Sequence, residues 1–125
     1  MNKNERLKNA NEFLAVIAST GRKFFEHKGF VATMEISSTG RVFFIDHFTK
    51  KRIYTHRKYV NWSGFTSGGT MKIIVERLRD FITKGHVMSA SYFMEEWGNG
   101  FSNPWGYGSD ILKVGAAAKR LGIAK

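Results

Sequence analysis

Gly40-Arg41-Val42-Phe43-Phe44-Ile45-Asp46-His47-Phe48-Thr49-Lys50-Lys51-Arg52-Ile53-Tyr54-Thr55-His56 decides the fold. Arg41 to Ile45 is the most β-prone run in the chain, built from branched and aromatic side chains that pack well on a pleated surface. Asp46 to Lys50 closes it with turn residues, and Arg52 to His56 reads as the next strand. Upstream, Phe30 to Ile36 carries Val, Ala, Thr, Met and Ile without helical spacing. Ser37-Ser38-Thr39-Gly40 joins the two, with a Gly that takes positive φ at little steric cost. Three antiparallel strands are expected.

Helical periodicity lies outside this block. From Asn4 to Lys28 the apolar positions Leu7, Ala10, Leu14, Ile17, Phe24 and Phe25 recur at spacings of three and four, which predicts one long or kinked amphipathic helix. Gly29 suits its C-terminal cap, while Ser19-Thr20-Gly21 offers an earlier stop. Met71 to Lys84 has an apolar face of Ile74, Leu78, Phe81 and Ile82 and is stopped by Gly85. Ser109 is the expected cap of a last helix, Asp110 to Leu121, ended by Gly122. The expected fold class is therefore α+β: a three-stranded antiparallel sheet packed by an N-terminal helix, a central helix and a short C-terminal helix. At 125 residues the chain is read as a single domain, 1–125, with 87–108 an irregular segment rich in aromatic residues and Gly.

Composition narrows the function classes. Without cysteine there is no disulfide scaffold and no thiolate nucleophile. Eleven Phe, four Tyr and three Trp argue for a folded core rather than a charged disordered tail. No apolar run approaches the length of a membrane span, and the start lacks a signal-peptide core, so a cytoplasmic protein is expected. Twenty Lys and Arg against ten Asp and Glu give a net charge of +10, which selects a negatively charged partner.

The cationic excess is densest at Lys50, Lys51, Arg52, Arg57 and Lys58. Strand alternation puts Arg52, Tyr54, His56 and Lys58 on one face, interleaving positive and aromatic groups. Such a face suits nucleic acid, with cations displacing counterions from phosphates and rings stacking on bases. The plainer alternative is a solubilising edge that discourages unwanted strand pairing, with Tyr54 buried. Gly68-Gly69-Thr70, at the start of the central helix, offers free N–H groups to one phosphate, although the full phosphate-loop pattern is missing and a tight turn explains it as well. Tyr92, Trp97, Trp105 and Tyr107 are the candidates for contact with a protein partner, or else complete the core.

Catalytic signals are weak. The four His residues, at 27, 47, 56 and 86, show no ligand spacing, so neither metal nor cofactor is expected. Asp46 and His47 are adjacent in a strand-turn context and would point apart, and Glu95-Glu96 is the one acidic pair. No nucleophile, base and orienting group assemble into a constellation, and a non-enzymatic role is expected. The C-terminal Ala116-Ala117-Ala118-Lys119-Arg120-Leu121-Gly122-Ile123 matches only the first half of a helix-turn-helix, with no residues left for a recognition helix.

Gly40 to Asp46, Lys51 to His56, Trp62-Ser63-Gly64-Phe65 and Gly68-Gly69-Thr70 together resemble small, mostly uncharacterised accessory proteins of tailed bacteriophages, over about residues 36 to 84. The resemblance implies an infected bacterial cytoplasm and action on phage DNA or on host machinery, and it brings no catalytic residues with it. The order helix, three strands, helix is also similar to the double-stranded-RNA-binding domain, but the second helix here offers a single Lys in Gly69-Thr70-Met71-Lys72. Two functions are expected: a non-catalytic nucleic-acid-binding protein, DNA before RNA, and a phage counter-defence protein that binds and inhibits a host nuclease or immune complex, its partner then an acidic or nucleic-acid-binding host protein and in neither case a membrane.

Overall fold

The computed structural model describes residues 1–56, 62–93 and 105–125. Helix α1 spans Lys3–Ala18, with the Asn2 side chain accepting from the Glu5 N–H at 2.8 Å. It stops ten residues short of the predicted end. The Ser19 and Thr20 hydroxyls turn back onto the carbonyls of Val16 and Ile17, each at 2.7 Å, and such local bonds compete with continued helix. The freed segment takes positive φ at Lys23 and Phe25 and then forms a small hairpin, β1 (Glu26–His27) against β2 (Phe30–Val31). Its two-residue turn is Lys28-Gly29, with φ of 49° and 83°, the mirror-image turn geometry that matches strand twist. Phe25, read from its spacing as part of a helix face, is instead fully buried beside Phe44, with ring centroids 6.1 Å apart.

The main sheet has the order β3 (Thr33–Ile36), β4 (Val42–Ile45), β5 (Arg52–Tyr54), all antiparallel. The predicted strand Phe30 to Ile36 is thus divided at Ala32, which is fully buried and whose N–H donates to the Phe25 carbonyl at 2.8 Å. Register sets Met34 opposite Phe44 and Phe44 opposite Ile53, a buried row on the core face. The same pairing sets Glu35 opposite Phe43 and Phe43 opposite Tyr54 on the other face. At the β3 margin, Asn11 of α1 donates to the Met34 carbonyl at 3.0 Å and accepts its N–H at 2.6 Å. Those are backbone groups that β4 leaves unused.

Helix α2 spans Gly69–Lys84 and ends as predicted at Gly85, where φ of 73° lets two N–H groups return to Phe81 and Asp80. Helix α3 spans Asp110–Arg120. Ser109 makes no side-chain cap bond; the first residue of the helix, Asp110, instead ties its entry to the loop after α1, its Oδ2 accepting the N–H of Tyr107 at 2.8 Å and of Gly21 at 3.1 Å. After α3 the chain folds inward. Ile123 is fully buried, and its carbonyl accepts the Met88 N–H at 2.7 Å, so the Leu121-Gly122-Ile123 turn serves packing. One apolar cluster draws on all three helices and the core face of the sheet, including Phe13, Leu14, Ile17, Phe44, Leu78, Ile111 and Trp105. Among the described residues no helix is long and apolar enough to cross a membrane.

Candidate nucleic-acid interface

Alternation along β4 sends Val42 and Phe44 into the core and leaves Phe43 on the opposite face, level with Tyr54 of β5. The two rings lie 5.8 Å apart. Arg41 places its guanidinium 5.5 Å from the Tyr54 ring centre, and Arg52 places its own 5.1 Å from that of Phe43. A planar cation over a ring face is attracted by the ring quadrupole and held there. Tyr54 is 37% exposed and Arg52 is open to solvent. The outer face therefore combines two aromatic rings with two guanidinium groups, a surface on which bases can stack while phosphates meet cations.

An acidic neighbour tempers it. Glu35, next to Phe43 on β3, forms an ion pair with Arg52, so this Arg is not the unopposed cation that its sequence neighbourhood suggests. His56 also has a defined part. Its Nε2 accepts the Val42 N–H at 3.1 Å, and its ring lies 5.0 Å from that of Tyr54. Partial desolvation, together with the positive charges of Arg79, Arg41 and Lys3, holds its pKa below the ordinary histidine value. It is thus a neutral acceptor at neutral pH and adds no charge.

Lys50 and Lys51 sit on the turn between β4 and β5, and Asp46 organises that turn. Asp46 is fully buried, and its carboxylate accepts the N–H groups of Phe48 and Thr49 at 3.0 Å and the Thr66 hydroxyl at 3.0 Å. Burial alone would raise its pKa, but these bonds outweigh that effect and hold it below the ordinary carboxylate value. Lys50 takes positive φ and lies 5.1 Å over the Phe30 ring, and Lys51 is exposed. Through Thr66 the same carboxylate draws the loop before α2 against the turn, so the Gly68-Gly69-Thr70 step and the Lys50-Lys51 turn, distant in sequence, are tied to one group. Gly68 opens α2 without a side-chain cap, beside a cavity of about 260 Å³ lined by Trp62, Phe65, Ser67 and Lys72. Arg57 and Lys58 lie outside the described residues.

The aromatic candidates separate. Trp105 is 1% exposed, stacked on Phe93 at 4.9 Å, with its Nε1 donating to the Tyr92 carbonyl at 2.5 Å; it belongs to the core. Tyr92 is half-buried and packs against the same cluster. Tyr107 is 61% exposed, with Arg22 4.9 Å over its ring. Trp97, together with Glu95 and Glu96, lies outside the described residues. Asp46 and His47 do not work as a pair: the Asp46 oxygens are taken by turn and loop donors, while His47 is buried with its Nε2 3.4 Å from the Ser67 hydroxyl. Sequence reasoning missed Arg41, Phe43 and Glu35. For Arg41 and Phe43 the signal was the period of two along Arg41 to Ile45, which puts alternate residues of an apolar run on the solvent face; Glu35 is brought beside them by strand register, which carries no local signal.

A family model described as YoqU matches residues 1–125. The "SPbeta prophage-derived uncharacterized protein YoqU" of Bacillus subtilis (strain 168) is 24% identical over 120 residues, covering 95% of this chain and 82% of the relative. No solved structure matches.

Proposed function

The chain belongs to the YoqU family, and from that membership and the outer sheet face we propose a non-catalytic protein that binds single-stranded nucleic acid, DNA before RNA, in a phage setting. The prophage origin of the Bacillus subtilis relative supports the setting. The observation that carries the binding is the pair Phe43 and Tyr54 on the outer face, each ring overlain by a guanidinium. An open sheet with aromatic groups reads unstacked bases, which favours single strands over a duplex. Lys50 and Lys51 extend the positive surface beyond the rings, and the uncapped start of α2 offers N–H groups to a further phosphate.

Fluorescence anisotropy with a labelled oligothymidine, and with the matching RNA, tests this. Tyr54→Ala removes a stacking surface of about 1–3 kcal/mol and should weaken binding by about tenfold. The salt dependence should stay the same, because no cation is lost. Binding that is indifferent to Tyr54→Ala and to Arg41→Ala would refute the proposed face.

The 61% exposed Tyr107 and 72% exposed Leu112 favour a second reading, in which the positive surface engages a host protein that itself holds nucleic acid. A pull-down from bacterial lysate treated with nuclease separates the two. One stoichiometric protein surviving the treatment supports the second reading, and loss of all partners supports the first.

A further inference from the structure

The segment between α1 and the small hairpin, freed by the early end of the helix, borders a cavity of about 480 Å³, within the range of small-molecule sites. Arg22, Lys23 and Lys28 line it on one side, and His47, Phe48 and Ser67 on the other. Glu26 is the acidic group at its edge, and its Oε1 is occupied by the Gly29 N–H at 2.9 Å. The cavity is thus bordered by three permanent cations and one carboxylate already engaged in its own turn.

Two side chains of this lining each carry a buried nitrogen. His47 is 3% exposed, and among the described residues its Nδ1 has no hydrogen-bond partner; nor has the buried Nε of Arg22. Both atoms are closed to solvent, so a ligand in the cavity would meet the other atoms of these two side chains. The Arg22 guanidinium is fixed by the rings of Tyr107 at 4.9 Å and Phe24 at 5.7 Å, which orients it in advance of any ligand.

Backbone strain gathers at the same place. Among the described residues the non-glycine positive φ angles fall at Lys23, Phe25, Lys28 and Lys50. The first three line the cavity, and the fourth shares a turn with Phe48. Strain of this kind is retained where surrounding structure or function requires it. Phe48, 49% exposed, lies against two imidazoles, with ring centroids 4.3 Å from His27 and 4.7 Å from His47. The rings are tilted by 43° and 44°, so the exposed Phe48 offers its own ring, beside that of His27, next to the cations.

We propose that this cavity binds a phosphate monoester carried on a nucleobase, with Arg22, Lys23 and Lys28 facing the phosphate and Phe48 with His27 facing the base. The ligand is either a free nucleotide or the terminal phosphate of a strand. The site uses none of the residues of the outer sheet face, so the two proposals fail separately.

The test is an amide-resolved NMR titration of the full chain with deoxyadenosine 5′-monophosphate, alongside deoxyadenosine and inorganic phosphate. The nucleotide should produce saturable shifts at Lys23, His27, His47 and Ser67, and the nucleoside and inorganic phosphate should each bind about tenfold more weakly or less. The double variant Lys23→Gln/Lys28→Gln changes two exposed side chains and should weaken nucleotide binding by about tenfold or more, while Tyr54→Ala leaves it unchanged. A strand that gains affinity from a 5′-phosphate over its 5′-hydroxyl counterpart assigns the ligand to a strand end; nucleotide binding without that gain assigns it to the free nucleotide. Absence of saturable shifts at millimolar nucleotide, or equal binding of inorganic phosphate, would overturn the proposal.

Discussion

Replacing Glu35 by Gln should tighten the binding of single-stranded DNA while leaving the fold intact. Glu35 neutralises Arg52 beside the ring pair and stands across from Phe43, so a phosphate approaching the outer face meets its negative charge. Two unit charges about 6 Å apart interact by about 0.7 kcal/mol at the dielectric constant of water and by about 2.8 kcal/mol at an effective value near 20. For a pair with the Arg52 side chain 57% and the Glu35 side chain 34% exposed, the low end applies, and about 1 kcal/mol is expected. That corresponds to roughly fivefold tighter binding at low salt. One more uncompensated cation should also steepen the slope of log K against log salt by about 0.7, the increment for single strands. The cost to folding is that of one partly exposed ion pair, about 1 kcal/mol at most. Anisotropy titrations between about 50 and 200 mM NaCl measure affinity and slope together, and urea unfolding checks the fold. Weaker binding, or an unchanged slope, would refute the placement of nucleic acid on this face.

Asp46→Ala strands the N–H groups of Phe48 and Thr49 and the Thr66 hydroxyl, and should cost about 3–4 kcal/mol in urea unfolding; a loss below about 1 kcal/mol would show that water replaces the carboxylate. Because the folded pKa of Asp46 is lowered, its contribution is complete above the unfolded carboxylate value and is lost as pH falls through the folded one, so the gap between wild type and Asp46→Asn should narrow below about pH 4. His47 and His56 are held below their ordinary values, so the unfolded chain takes up protons first and stability should fall as pH drops below about 6.5. Unfolding midpoints that do not change between pH 7 and 5 would contradict this. Arg79, 5% exposed, donates to the Thr55 carbonyl at the end of β5 and pairs with Asp80; Arg79→Ala should cost about 2–4 kcal/mol by thermal or urea melts, since it leaves the Thr55 carbonyl without that donor.

The elements with strong local signals were legible in the sequence. Arg41 to Ile45 and Arg52 to Tyr54 are strands, and α2 ends at the Gly that its pattern called for. What escaped depends on contacts between distant residues. The periodicity of α1 continues into Phe24 and Phe25, but Ser19 and Thr20 return their hydroxyls to the helix and Phe25 reaches the core through a turn of positive φ. Ser109 has the chemistry of a cap but makes no such bond, and Asp110 beside it serves a contact no local pattern states, accepting an N–H from Gly21, remote in the chain. Alternation puts Tyr54 on the same face as Arg52 but leaves open whether the ring is buried, and the pairing of Arg52 with Glu35 requires the register of β3, which no local pattern states. Trp105 carries an interface-type side chain, but its indole N–H finds a carbonyl inside, and a satisfied indole is at home in a core.

The amide of Asn11 holds both backbone groups of Met34 at the β3 margin. A strand donated from outside, whether by a foreign peptide or by another copy of the chain, cannot zip onto that rim without first evicting Asn11 from α1. The helix thus closes this one rim of the sheet, on a chain whose most β-prone sequence lies one strand away.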